Sequence, residues 1–236
     1  MADLHTFQTV GTRASQETKA AEVAAFMGSV YRWMAFGLAV TGFTAFYVAN
    51  SETAVNAIFG NPMVFYGLLF AQLGLVFAFT PLAMRVSSAI AGLIFIAYSG
   101  LTGVTLSAIF LRYTQSSIAQ TFLITAGAFA ALSFYGATTK RDLNAMGRFM
   151  MVGLFGLIIA SVVNIFMQSP AIYWVSTYAG VLIFSGLTAY ENQRLRELYR
   201  TSGQTGNLAL RGALMFYLDF INLFLMLLRL FGSERR

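Results

Sequence analysis

Two acidic side chains in this sequence lie where carboxylates are costly. The chain has nine Asp and Glu residues, and most of them fall in polar segments. Asp219, however, lies inside the apolar stretch from Gly212 to Phe231, and Glu191 closes the preceding apolar stretch in "GLTAYENQRL". A carboxylate in hydrocarbon costs roughly 2.5–3.5 kcal/mol on insertion scales, and such residues are functional by default. These two residues are therefore the first candidates for chemistry.

Two carboxylates in one poorly hydrated site form a proton-sensitive pair. They cannot both ionise cheaply, so one proton is shared between them. When deprotonated, they offer hard oxygen ligands to a cation, with Asn222 about one turn from Asp219 as a supporting polar group. Because Ca²⁺ takes about 6–8 oxygens, water and main chain would complete its shell. The residues predict a transient cation and proton-sensing site at Glu191 and Asp219, suited to passage rather than storage.

The same residues also have structural interpretations. Asp219 could hold two helices together through a hydrogen bond or an ion pair, and Glu191 could be an interfacial charge near arginines. Arg85, in a short polar turn, is either a topological anchor or the counter-charge of the pair. Gln72 lies inside an apolar stretch, where an amide is more often an interhelical hydrogen-bonding group than a ligand.

The composition indicates that membrane helices must position these side chains. Hydrophobic residues make up 58% of the chain and charged residues 10%, against about 25% charged residues in soluble domains. The absence of cysteine excludes disulfides, zinc–thiolate sites and cysteine nucleophiles. The net charge of +6 comes from basic residues placed between apolar stretches, which is typical of membrane topology and not of a nucleic-acid partner.

Seven apolar segments are each about 20 residues long, which is enough to cross a bilayer. They predict an all-α integral membrane protein, a bundle of seven transmembrane helices. We expect a disordered cytosolic tail at residues 1–23 and a single membrane domain at residues 24–236. A re-entrant final segment would leave six crossings, but its length favours a full crossing. The segments run over residues 28–49, 63–81, 86–110, 117–137, 149–168, 171–190 and 212–231.

The placement of lysine and arginine predicts the orientation of the bundle. With the N-terminus in the cytosol, eleven basic residues fall on the cytosolic side and four on the other side. An odd number of crossings then places the C-terminus outside. No cleavable signal peptide is visible, so we expect the first helix to act as an uncleaved signal.

Several segments resemble the Bax inhibitor-1 family, the transmembrane Bax inhibitor motif proteins, in its bacterial inner-membrane branch. "LTAYENQRL" and "FYLDFINLFLMLLRLFG" resemble the family signature, and "SGLTGVTLSAIFLRYT" and "SFYGATTKRDL" resemble further segments in the same order. The resemblance implies a seven-helix bundle with the last helix at its centre and a place in the bacterial inner membrane. The C-terminus that the basic residues place outside is then periplasmic. It also implies a pH-sensitive calcium leak gated by an acidic pair. Asp219 matches the second aspartate of that pair, and Arg85 matches the arginine described as its latch.

Two positions depart from the family pattern. Glu191 stands where the family has an aspartate in a Tyr-Asp motif, and Gln72 stands where some members have a glutamate. The loss of the glutamate at position 72 bears on the gating network and not on the fold. Another bacterial branch of the family binds and restrains a membrane-anchored AAA protease.

Three functions follow from these observations. The first is a pH-sensitive cation leak, with Ca²⁺ as the transported ion. The second is a regulatory membrane protein that binds a membrane-anchored AAA protease. The third, an intramembrane aspartyl protease, is disfavoured because "MFYLDF" lacks the glycines of a Gly-x-Gly-Asp sequence, and no other hydrolytic motif occurs. We therefore expect a monomer in the lipid bilayer that is not an enzyme and carries no cofactor.

Overall fold

The computed structural model describes residues 2–203 and 207–235, with side chains from Glu17 onward. Helices account for nearly all of this part of the chain. In order they are α1 (Ala2–Ala49), α2 (Glu52–Phe59), α3 (Pro62–Ala83), α4 (Ser88–Arg112), α5 (Gln115–Thr138), α6 (Asn144–Met167), α7 (Pro170–Ser202) and α8 (Leu208–Phe231).

Seven helices in the described ranges are long and apolar enough to cross a membrane. They are α3 to α8 and the part of α1 from Glu17 to Ala49. The short α2 connects α1 to α3 and is capped by the hydroxyl of Ser51, which accepts a hydrogen bond from the backbone N–H of Ala54 at 3.3 Å. The prediction of an all-α membrane bundle with seven spans is confirmed.

The helices begin where the sequence supplies capping residues. The hydroxyl groups of Ser87, Thr114 and Ser169 accept hydrogen bonds from backbone N–H groups in the first turns of α4, α5 and α7. A helix start leaves such N–H groups without partners, and these hydroxyls satisfy one of them in each case. Pro62 and Pro170 occupy the first positions of α3 and α7, where a missing N–H costs nothing.

The last helix, α8, is at the centre of the bundle. It packs against α1, α3, α4, α5 and α7, and it is the most buried of the seven spans. Phe216 and Tyr217 are fully buried there. Phe129 of α5 packs on Phe216 with 5.7 Å between ring centroids, and Phe95 of α4 packs on Tyr217 at the same separation. The outer helix α6 packs on α7.

Polar contacts at the two ends of the bundle match an alternating course of the seven spans. At one end, the side-chain amide of Asn207 donates to the carbonyl oxygens of Ala83 and Val86 at 2.9 and 3.0 Å, which ties the start of α8 to the α3–α4 turn. At the other end, Glu234 accepts a hydrogen bond from Arg112 at 2.7 Å. We call these the Asn207 end and the Glu234 end.

The N-terminal segment differs from the predicted disordered tail at residues 1–23. The structure continues α1 back to Ala2. The stretch "QETKAAEVAAF" contains good helix formers and neither Gly nor Pro. Val23 and Phe26 are buried, and the Phe26 ring stacks on Tyr199 of α7 with 4.3 Å between centroids. The last turns of α7 thus provide the surface that orders this part of α1.

Candidate functional site

The two buried carboxylates lie at the same depth in adjacent helices. Glu191 is eleven residues before the end of α7 at Ser202, and Asp219 is eleven residues after the start of α8 at Leu208. At 1.5 Å per residue, both lie about 16 Å from the Asn207 end. The predicted sixth segment ended at residue 190, which put Glu191 at the edge of its span while Asp219 lay inside the last one. The longer α7 corrects that, because an antiparallel pair of helices matches residues equally far from their connection.

Glu191 and Asp219 form a hydrogen-bonded pair in the core. The two residues are 7% and 5% exposed, and their carboxyl groups lie within hydrogen-bonding reach of each other. A hydrogen bond between two carboxyl groups requires a proton on one of them, because two carboxylates offer only acceptors. The predicted pair is therefore brought together, and a hydrogen bond within it needs a proton shared by the two carboxyl groups.

Each member of the pair also has an oxygen without a partner. Glu191 Oε2 and Asp219 Oδ2 are buried and accept no hydrogen bond from the described residues. Buried polar atoms are nearly always satisfied, and each one left unpaired costs about 1–3 kcal/mol. The two oxygens are therefore the atoms that the shared proton, a water molecule or a cation would satisfy.

The basic side chain that acts on the pair is Arg194 of α7. It lies nearly one turn beyond Glu191 and interacts electrostatically with that carboxyl group. Its guanidinium donates to the hydroxyl of Tyr190 at 2.9 Å and lies over the Tyr190 ring at 5.7 Å from the centroid. Arg194 is thus held at the side of the pair that faces the Asn207 end.

A second network beside the pair was not singled out from the sequence. Asn192, which is fully buried, donates to the hydroxyl of Tyr31 in α1 and accepts from Nε of Arg196 at 2.9 Å. The signal for it was available, since Asn192 directly follows Glu191 in "YENQRL". This network joins α1 to α7 next to the carboxylates.

The structure does not bring Arg85 to the pair. Arg85 is exposed in the turn between α3 and α4, whereas Asp219 lies well inside α8. Among residues 17–203 and 207–235, the ion pair found joins Arg112 to Glu234. The arrangement described here therefore has no latch between Arg85 and the carboxylates, although the Asn207 contacts tie its turn to the start of α8.

The other two predicted polar residues make bonds of their own. The amide of Asn222 donates to the Leu218 carbonyl oxygen at 2.8 Å, within α8. Gln72 donates to the Leu101 carbonyl oxygen and to the Thr105 hydroxyl at 2.8 and 2.7 Å. Gln72 is thus an interhelical tie between α3 and α4, which was the structural alternative for it.

The site is too sparse to be a storage site for a metal ion. In the described part of the chain, no cluster of three or more His, Cys, Asp or Glu side chains could hold one. A Ca²⁺ ion at Glu191 and Asp219 would draw most of its about 6–8 oxygen ligands from water and main chain. The carboxylate pair fits a transient contact with a cation.

Comparison with known proteins places the whole membrane domain in one family. The family model described as "Inhibitor of apoptosis-promoting Bax1" matches residues 23–236. The chain belongs to the Bax inhibitor family. The match begins at Val23, the first buried residue of α1 from Glu17 onward. The sequence resemblance to this family is confirmed.

Bacterial relatives cover nearly the full length of the chain. Inner membrane protein YbhL of Escherichia coli strain K12 is 46% identical over 215 residues, which cover 89% of this chain and 92% of the relative. An uncharacterized protein of Borreliella burgdorferi is 42% identical over 214 residues, with the same coverage. Uncharacterized protein RP147 of Rickettsia prowazekii is 37% identical over 233 residues, or 97% and 98% of the two chains. These matches and the seven apolar helices support a multi-pass inner-membrane protein of the Bax inhibitor family.

Proposed function

We propose that this protein is a pH-sensitive cation leak, with Ca²⁺ as the ion, in which the Glu191–Asp219 pair controls passage. The observation that carries this proposal is the buried carboxyl pair, whose members lie within hydrogen-bonding reach of each other and have two oxygens that no donor group of the described residues reaches. Loss of the shared proton would turn an attractive contact between α7 and α8 into a repulsive one. It would also create two adjacent negative charges, which attract a cation.

A purely structural role explains these features less well. Two amide or hydroxyl groups would join α7 to α8 without the cost of burying acids in a membrane. No donor group of the described residues reaches Glu191 Oε2 or Asp219 Oδ2, so their partner is a carboxyl proton, water or a cation. A group that exchanges protons and meets cations accounts for both.

Ion flux through the purified protein tests the proposal. The protein would be reconstituted into liposomes that contain a calcium-sensitive dye, and Ca²⁺ entry would be followed between about pH 5 and 8. Free Asp and Glu in water titrate near 4, so a change across this range that is lost in Asp219→Asn points to the buried pair. Flux no greater than in protein-free liposomes at every pH would refute the leak.

A second candidate function rests on the length of α1. Its 48 residues extend about 72 Å, whereas a bilayer core is about 30 Å thick. The helix beyond the membrane is a handle for a partner, and a membrane-anchored AAA protease is the partner that we propose. Deletion of residues 2–16 is expected to abolish co-purification with that protease and to leave calcium flux intact. Co-purification that survives the deletion would argue against this handle.

We expect the Asn207 end to face the cytosol and the Glu234 end to face the periplasm. The reason is the excess of Lys and Arg in the connections at the Asn207 end. A reporter that works only in the cytosol should be active when it is fused after Lys140. A reporter that works only in the periplasm should be active when it is fused to the C-terminus. A cytosolic C-terminus would contradict this orientation, since seven crossings place the termini on opposite sides.

Substitution of Arg194 is expected to alter the pH dependence of flux more than substitution of Arg85. Arg194 acts on Glu191 directly, whereas Arg85 is exposed in the α3–α4 turn. The measurement compares Arg194→Gln with Arg85→Gln in the liposome assay, with Arg148→Gln as a control for loss of a basic residue at the same end. A larger effect of Arg85→Gln would restore the latch implied by the family resemblance.

A further inference from the structure

Two cavities outside the carboxylate site meet at Arg196 and Ala137, which line both of them. The first is a cleft of about 560 Å³ at the Asn207 end, between the α5–α6 connection and the last turns of α7. The second is a groove of about 830 Å³ between α1 and α5, with Phe220 of α8 in its lining. Together they run from the polar end of the bundle into its apolar side.

The cleft is strongly basic. Its lining carries five basic side chains and two acidic ones. None of the five forms an ion pair within residues 17–203 and 207–235, where the ion pair found is Arg112–Glu234. Two of them instead donate to neutral groups, the Tyr190 hydroxyl and the Asn192 amide oxygen. The cleft therefore attracts an anion. The basic residues are Lys140, Arg141, Arg194, Arg196 and Arg200.

The groove is apolar and opens toward the lipid. Its lining includes Leu38, Phe122 and Phe134. Phe134 lies within a membrane span and is 70% exposed. Three polar side chains interrupt this lining, those of Tyr31, Ser133 and Arg196. The hydroxyl of Ser133 is buried and has no hydrogen-bond partner in the described structure. The groove thus offers space for a hydrocarbon chain and a single unused hydroxyl.

We propose that the cleft and the groove together bind one anionic phospholipid. Its phosphate lies among the basic side chains of the cleft, and an acyl chain lies between α1 and α5. Basic pockets beside transmembrane helices are known sites for anionic headgroups. A free phosphate would leave the groove empty, and a neutral lipid would leave the cationic cleft without a counter-charge. Only a ligand that is both anionic and apolar complements the two halves where they meet. The binding of this lipid does not depend on ion conduction.

Lipid binding to the purified protein in detergent tests the groove. Native mass spectrometry with added phosphatidylglycerol should show one retained lipid, bound about tenfold more tightly than phosphatidylcholine. Gly42→Leu places a side chain into the groove, and a Cβ at Gly42 meets no atom within 4 Å, so the variant should fold. We expect it to bind phosphatidylglycerol at least tenfold more weakly. Gly127→Leu, at an equally open position on α5 outside the groove, should bind like the wild type.

The role of the cleft is tested by substituting exposed basic residues that line it and measuring lipid binding. The double variant Lys140→Gln, Arg141→Gln should bind phosphatidylglycerol about tenfold more weakly, whereas Arg148→Gln, which does not line the cleft, should bind normally. Equal affinity for the two lipids, or unchanged binding by Gly42→Leu, would overturn the proposal. Inorganic phosphate is the third probe. If it raises the melting temperature of the wild type and of Gly42→Leu equally, and phosphatidylglycerol does not bind, the cleft is a site for a free anion and the lipid assignment is wrong.

Discussion

The substitution Asp219→Asn is expected to abolish the pH dependence of calcium flux while the protein stays folded. Asp219→Asn keeps the size of the side chain and its capacity for hydrogen bonds, but it removes one of the two groups that share a proton. Glu191→Gln should have the same effect, because the shared hydrogen bond belongs to both residues. The double variant should add little to either single variant, since residues in direct contact do not act additively.

The structure also suggests the sign of the pH effect, which the sequence left open. Because Arg85 makes no contact with the pair, protonation of the pair cannot act by breaking an ion pair with Arg85. Deprotonation replaces a hydrogen bond by repulsion between two carboxylates and supplies two negative charges for a cation. We therefore expect flux of the wild type to rise as the pH increases from about 5 to 8.

The control and the contrary outcome are both simple. Glu52→Gln removes an exposed acidic group of α2 and should leave the pH profile as it is in the wild type. Circular dichroism and gel filtration would show whether the Asp219→Asn protein is folded. A folded Asp219→Asn variant with unchanged pH-dependent flux would rule out the carboxylate mechanism, and Asp219 would then be a structural residue.

Alanine at position 136 is expected to destabilise the bundle strongly. A Cβ on Gly136 of α5 would overlap the carbonyl oxygen of Ala189 in α7, and this obstacle is backbone that cannot rotate away. The two helices would have to separate next to Glu191. Overpacking of this kind costs about 1–3 kcal/mol or more, so we expect the melting temperature to fall by roughly 5–10 °C.

Gly127→Ala is the matched control for this prediction. Gly127 lies on the same helix, and a Cβ there meets no atom within 4 Å. The melting temperature of Gly127→Ala should equal or slightly exceed that of the wild type, because alanine is the better helix former. Equal melting temperatures for Gly136→Ala and Gly127→Ala would mean that α5 and α7 do not cross as closely as described.

The features that could be predicted from sequence are those that depend on local composition. Apolar length determines that a segment can span a membrane, and this gave seven spans that agree with α1 and α3 to α8. The gaps between the predicted apolar segments fall at the turns before α4 and α7, where hydroxyl and proline residues act within one turn of the helix start. The cost of burying a carboxylate also depends on its own surroundings, which is why Glu191 and Asp219 stood out.

Helix ends outside the membrane were harder to predict, because an apolar stretch marks the bilayer and not the helix. The sixth apolar segment stops near residue 190, but α7 continues to Ser202 through polar residues that favour helix. The same reason explains the N-terminal segment. Phe26, just after the predicted tail, stacks on Tyr199 of α7, a contact between residues far apart in the chain that local composition does not reveal.

The neighbours of the site were decided only by tertiary structure. Matched depths in α7 and α8 bring Glu191 to Asp219, and the packing of α1 against α7 brings Tyr31 to Asn192. The exposed position of Arg85 and the meeting of two cavities at Arg196 depend likewise on how the helices cross. Sequence shows that a charge is buried in the membrane, but which helix faces it depends on rotation and tilt. Those are determined by packing of the whole bundle, because the lipid-facing and protein-facing sides of a membrane helix are both apolar.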